Sequence, residues 1–325
     1  MKKKTSGILL VAGICSLLTL FGCGDGDGES PQTPTKDLRI FHASGMTPAL
    51  EAAREDCKKN LGINLITEGS GSQVACRKIA ELGRPCDLIM VADRELIATL
   101  LNGYCSWRID FAKDEVVLGV GQRAPHISEA ETDWPSVLLR DDVRIGRVDE
   151  NQGPIGYRAL LVWKLQENLG SEGLSAKLME KCDKVVDNVS RLTPLLKTGE
   201  IDYAFVYRSI CIAHDIRYIE LDPKINLGST DIDYSSASVS YRKGMGRESE
   251  QRITVHGAPI AWALSIPDRD ADAETAREFI RYLIMEHGEI LDVNGFRPLR
   301  PAAFYGPAEA GVPFQDFAKR QGALE

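Results

Sequence analysis

The sequence lacks the patterns that carry most enzyme chemistry. It has no Cys-x-x-Cys and no His-x-x-x-His, the spacings from which zinc sites are commonly built. Neither Gly-x-Gly-x-x-Gly nor the Gly-x-x-x-x-Gly-Lys-Ser/Thr loop occurs, so nucleotide binding has no support. No Gly-x-Ser-x-Gly elbow is present, and His42, His126, His214, His256 and His287 have no companion in a nucleophile motif. After residue 22 no apolar run approaches the roughly 20 residues of a membrane-spanning helix. Positive charge is in the minority, with 39 Lys and Arg against 47 Asp and Glu and a net charge of −8, which argues against a nucleic-acid partner. The absences point to a protein that is not an enzyme, needs no cofactor and binds no metal directly.

What is there begins with a targeting signal. Lys2, Lys3 and Lys4 form a basic patch, Gly7 to Gly22 is an uncharged apolar run, and Leu20-Phe21-Gly22-Cys23 reads as a lipobox. On this reading residues 1–22 are removed and Cys23 is acylated. Loss of the three lysines takes the net charge from −8 to −11. Residues 23–37, with GDGDGESPQTPTKD after the cysteine, have no large apolar side chain and read as a flexible tether. The expectation is a lipid-anchored, otherwise soluble monomer on the periplasmic or extracellular face of a membrane. Beyond Cys15 and Cys23, six cysteines remain, expected as buried thiols or as one or two structural disulfides.

From residue 38 the pattern alternates short apolar runs with amphipathic ones. Strands are expected at Leu38–His42, Ile63–Thr67 and Asp87–Val91, and helices at Pro48–Asn60, Gln73–Leu82 and Asp93–Leu101. The alternation resumes with a strand at Val143–Val148, a helix at Gly156–Leu169, a strand at Ile201–Tyr207 and a helix at Glu274–His287. This is an α/β pattern of parallel sheets covered by helices. Two strand-like apolar segments, Asp114–Val120 and Pro259–Ile266, read as crossovers between two lobes, one built from 38–115 and 260–325 and the other from 116–259. Two crossings make a hinge, with ligand in the cleft.

Three loops at expected strand ends are rich in small residues: one around Ser44, one at Gly71-Ser72, and one at Gly153-Pro154-Ile155-Gly156 that opens a helix near Tyr157. The first turn of a helix has unpaired N–H groups and a partial positive charge, so such loops can hold an oxyanion without a lysine or arginine. Each loop taken alone also reads as an ordinary cap or turn; the argument rests on several coming from both lobes. Tyr207, at a strand end, can donate its hydroxyl into the cleft, or can be a half-buried core tyrosine. Arg158 and Arg208 follow candidate loops and serve either as cleft charges or in ordinary salt bridges.

The spans LRIFHAS (Leu38–Ser44), Gly71–Asp93, GYRALLVWK (Gly156–Lys164), GEIDYAFVYRS (Gly199–Ser209) and YIELDPKINLG (Tyr218–Gly228) resemble the archaeal-type tungstate/molybdate substrate-binding proteins of ABC transporters. The resemblance implies a two-lobed periplasmic-binding-protein fold of type II, each lobe a sheet flanked by helices, with a two-strand hinge. It implies capture of molybdate or tungstate and delivery to an ABC permease. It assigns the ligand to Ser44, Gly71, Ser72 and Tyr207, with backbone donors from the Pro154–Tyr157 loop. Some members add two second-lobe carboxylates to the metal of the oxyanion. Here Gly153 stands where one of those acids would be, and the counterparts of the other, Lys197 and Val206, are not acids. A four-coordinate anion held by hydrogen bonds alone is therefore expected, with Asp149 and Glu150 the remaining carboxylates near the loop. The alternatives are another tetrahedral oxyanion (sulfate, thiosulfate or phosphate) or a cell-envelope lipoprotein enzyme.

Overall fold

The computed structural model describes residues 35–182, 184–245, 250–269 and 271–324. The expected signal segment (1–22) and Cys23 lie outside these residues. In chain order the first block is β1 (Lys36–Ala43), a 3-10 turn (Ser44–Met46), α1 (Thr47–Asp56), β2 (Ile63–Ser70), α2 (Ser72–Ala80), β3 (Leu88–Val91), α3 (Glu95–Leu100) and β4 (Arg108–Lys113). The second is β5 (Val116–Val120), α4 (Ile127–Leu138), β6 (Ile145–Val148), α5 (Pro154–Asn168), α6 (Leu174–Lys181), β7 (Lys184–Val186), α7 (Val189–Thr198), β8 (Tyr203–Tyr207), α8 (Arg208–Ala213) and β9 (Tyr218–Glu220). A separate hairpin of β10 (Ser238–Arg242) and β11 (Arg252–His256) follows. The chain closes with β12 (Ala261–Ser265), α9 (Ala273–Arg281), α10 (Glu289–Val293), β13 (Arg297–Tyr305), α11 (Ala308–Gly311) and β14 (Ala318–Gly322).

The strands form two main sheets, ordered β14-β13-β4-β12-β3-β1-β2 and β7-β6-β8-β5-β9. Both share one plan. Three parallel strands (β2-β1-β3 and β7-β6-β8) meet an antiparallel strand (β12 and β5), beyond which lies a further strand (β4 and β9). In each sheet that antiparallel strand is the first one after the chain arrives from the other sheet. The central strands LIMV, YAFVY, VVLGV and AWALS are buried along their whole length, as strands must be when helices cover both faces.

The structure shifts several expected boundaries. β1 starts at Lys36, inside the stretch read as tether. Val116–Val120 and Ala261–Ser265 are not crossovers, because each pairs within a single sheet. The chain changes sheet at Asp114-Glu115 and, returning, over 257–260, so the hinge consists of short connections rather than two strands. α5 begins at Pro154 rather than near Gly156, because Gly153 is extended (φ −139°, ψ 143°) and a proline tolerates the first helical position, where no N–H is needed. α1 runs on through a π turn, Cys57–Leu61, and stops at Gly62 (φ 65°) in the left-handed conformation. The helix expected to reach His287 likewise passes into a π turn at Tyr282.

Candidate functional site

The strand ends of the two sheets face one another across a small cavity. The cavity volume is about 20 Å³. The first lobe lines it with Ala43, Ser44, Gly45, Ser70, Gly71, Ser72, Ala92 and Trp262, and the second with Val148, Gly153, Pro154, Ile155, Asn188, Val189 and Tyr207. Seven of the expected site residues are thus brought together: Ser44, Gly71, Ser72, Gly153, Pro154, Ile155 and Tyr207.

Gly156 and Tyr157 are not among the lining residues. A Cβ at Gly156 would stand 2.6 Å from the backbone of Asp149 and Glu150, so this glycine lets the first turn of α5 seat on its own loop. The Tyr157 ring turns away, stacks on Tyr241 (centroids 5.4 Å apart) and sends its hydroxyl to Asp93. Pro154 has no N–H to give, so the first turn of α5 offers the cavity the Ile155 N–H rather than one from each residue.

The two lobes touch through glycines. A Cβ on Gly71 would lie 2.1 Å from the Gln152 carbonyl oxygen, and one on Gly153 would lie 3.7 Å from Gly71 Cα. At Gly71 no other residue allows this approach. The lobes are further tied by Gln73 Nε2 donating to Glu150 O (2.9 Å) and Arg77 Nη1 donating to Asn151 O (2.7 Å). The arrangement is a closed cleft.

Polarity in the cavity runs one way. Tyr207 Oη accepts from Arg158 Nη1 (2.7 Å), Ser72 Oγ accepts from Ala92 N (3.0 Å), and Ser70 Oγ accepts from Lys78 Nζ (3.1 Å). Each oxygen is engaged by a group that can only donate, which leaves the hydroxyl proton free for a ligand. Burial pushes the Tyr207 phenol up, against the opposing pull of Arg158, so its proton stays in place at neutral pH. α2, α5 and α7 point their N-termini at this space through Gly71, Gly153 and Asn188. Three such ends together present about +1.5 of partial charge. The lining contains no Asp, Glu, Lys, Arg or His. Lys78 and Arg158 each sit one hydroxyl back and are paired, with Glu68 at 2.7 Å and Asp93 at 3.2 Å. The two carboxylates of the preceding loop face elsewhere. Asp149 Oδ1 accepts from Asn151 N (2.8 Å), and Glu150 pairs with Arg147 (2.6 Å).

Sequence reasoning missed the α7 contribution. The signal was present, since Asn188 precedes Val189, Leu192 and Leu196 at helical spacing, and its side chain accepts from Arg191 N (3.2 Å) as an N-cap. It also missed Trp262, whose indole N–H donates to Asp114 (3.1 Å) at the crossing between sheets. Burial pushes Asp114 up to about 6, against donors that include the Ser209 hydroxyl (2.5 Å). Cys57, Cys76, Cys86, Cys105 and Cys211 are free, buried thiols, and burial pushes Cys57, Cys86 and Cys105 up to about 12. A nucleophilic thiolate needs the opposite environment. Among the described residues no helix is long and apolar enough to cross a membrane.

Known proteins agree with this architecture. A solute-binding protein of Petrotoga mobilis is 34% identical over 88% of this chain and 91% of its own length. The molybdate/tungstate-binding protein WtpA of Pyrococcus abyssi is 30% identical over 92% of this chain and 95% of its own. Among solved structures, the periplasmic molybdate-binding protein of Azotobacter vinelandii superposes with a TM-score of 0.58 at 17% identity, over 80% of this chain and 98% of its own, a likeness of fold. Residues 38–297 match the family model described as bacterial extracellular solute-binding protein, and the chain belongs to that family.

Proposed function

We propose that the protein captures molybdate or tungstate in the interlobe cavity and presents it to the permease of an ABC importer, without covalent chemistry. The observation that carries this reading is the uniform polarity of the cavity. Hydroxyl protons and helix N-termini converge from both sides, while no carboxylate lines the space. A fully ionised tetrahedral anion carries only acceptors and satisfies such a site. An anion that keeps a proton, as phosphate does at neutral pH, finds no acceptor and is disfavoured. The anion is held four-coordinate, by hydrogen bonds alone, because Asp149 and Glu150 are engaged elsewhere. The relative in Pyrococcus supports the choice of cargo by its name.

Binding works by closure. With the lobes apart, only one half of the donors meets the anion; together, all do, so ligand shifts the population toward the closed form. The lobes are 38–115 with 260–325, and 116–259. In this reading the chain is a monomer, anchored through acylated Cys23 on the outer side of the membrane, where the family's solutes are met.

Titration calorimetry on ligand-stripped protein with molybdate, tungstate, sulfate and phosphate tests it. Tight binding of the first two alone is expected. Tight sulfate or phosphate binding would move the cargo, and no heat with any of the four would sink the oxyanion reading.

A further inference from the structure

Beside the cavity the lobes are joined by a buried charged cluster. Arg158, on α5 of the second lobe, is 4% exposed. Its guanidinium donates to Tyr207 Oη (2.7 Å) in its own lobe, and to Ala92 O (2.6 Å) and the Asp93 carboxylate (3.2 Å) in the first. Asp93 also accepts from the Tyr157 hydroxyl and, through its other oxygen, from Glu95 N (3.1 Å) at the start of α3. Ala92 in turn gives its N–H to Ser72 Oγ. One guanidinium is thereby connected to a cavity hydroxyl on each side, directly to Tyr207 and through Ala92 to Ser72.

We propose that Arg158 and Asp93 form an interlobe latch that couples closure to anion binding, with Arg158 a positioning residue that holds the Tyr207 hydroxyl in donor orientation. The inference rests on the oxyanion reading of the cavity. Arg158 and Tyr207 share a lobe, whereas Ala92 and Asp93 belong to the other, so two of the three acceptors are available only in the closed form. A guanidinium buried by closure without its carboxylate is strongly disfavoured. The latch therefore adds to the closed state an interaction that the anion itself does not touch.

Asp93→Asn separates this role from folding. Asparagine keeps the size and the acceptor for Glu95 N but removes the charge that neutralises Arg158. Stopped-flow tryptophan fluorescence and calorimetry with molybdate, together with a dye pair placed across the two lobes, give the readout. Asp93→Asn is expected to weaken molybdate binding about 10- to 100-fold, mainly through faster release. It is also expected to lower the closed fraction reported by the dyes, with and without anion. If wild type binds molybdate and the variant matches it in affinity and release rate, the latch is overturned and the oxyanion reading stands. If wild type binds neither molybdate nor tungstate, that reading falls, and the closed fraction decides the latch: equal fractions in the two proteins overturn it. Should Asp93→Asn fail to fold, Arg158→Lys carries the same expectations, because one ammonium cannot span three acceptors.

Discussion

Gly71→Ala tests lobe closure directly. Gly71 sits at φ −64° and ψ 144°, a conformation open to alanine, so the substitution strains no backbone. What it adds is one methyl group, 2.1 Å from the Gln152 carbonyl oxygen of the opposite lobe. Ordinary contact needs about 3.4 Å, so the lobes must stand about 1.3 Å further apart at this point. A hydrogen bond of about 2.9 Å stretched by that much is lost. On the proposed reading the second-lobe donors to the anion are the Tyr207 hydroxyl and the Ile155 N–H, each contributing about 1.5–3 kcal/mol toward a charged acceptor. Loss of both costs about 3–6 kcal/mol, or about 10²- to 10⁴-fold in Kd. Calorimetry with molybdate measures this directly. The ligand-free melting temperature should be unchanged or slightly raised, because the contact lies between lobes and alanine restricts the unfolded chain. A variant that binds molybdate within about threefold of wild type would refute both the closed-cleft geometry and the contribution of the second lobe.

Two further outcomes follow from the hydroxyls and the buried titratable groups. Ser44→Ala should weaken anion binding about 10-fold and leave the melting temperature unchanged, whereas Ser72→Ala should lower both, since it also strips the acceptor from the buried Ala92 N–H; equal thermal shifts in the two variants would contradict the assignment. Stability against pH carries two opposing contributions. Burial lowers His42 to about 4, so the unfolded chain takes up a proton first and stability falls as pH drops from about 6.5 towards 4. Asp114, pushed up to about 6, binds its proton first in the folded state and adds stability as pH drops from about 6 towards 3.8. Asp114→Asn removes the second contribution, so between pH 6.5 and 4.5 the variant should lose about 2 kcal/mol more than wild type in urea unfolding, and parallel pH curves would dismiss the assignment.

Much of the fold was legible because its early strands and helices follow simple periods. β1, β2, β3 and β8 are short apolar runs next to small-residue loops, and the helices after them carry glycine stops at Gly62 and Gly83. The strands that went unread are those whose sequence is set by partners rather than by period. β4 reads RIDFAK because Arg108 and Asp110 pair with one another (3.0 Å) in the sheet, and a buried ion pair looks like a surface segment in one dimension. The edge strand β14 and its neighbour β13 alternate weakly, and the β10–β11 hairpin alternates polar with apolar residues but buries only one thin face. The two apolar strands beside the crossings, β5 and β12, read as the crossings themselves, because nothing local tells a central antiparallel strand from a linker that is buried.

The same contrast explains the site. Loop glycines and serines announce where backbone can approach a ligand, and Ser44, Gly71, Ser72 and Gly153 line the cavity. What a sequence does not announce is which atom of each group is already engaged. A serine beside a helix reads identically whether its oxygen or its proton faces the cavity, and that difference separates an anion site from a cation site. Here Arg158, Lys78 and the Ala92 N–H each take the acceptor side of a hydroxyl, and all three lie outside the loops that drew attention. If the cavity holds an anion as proposed, its selectivity is set one layer behind its lining. It follows that substitutions at Arg158 or Lys78, which line no part of the cavity, should alter anion preference more than conservative changes at the apolar lining residues Val148 or Val189, a ranking that competition between molybdate and sulfate would expose.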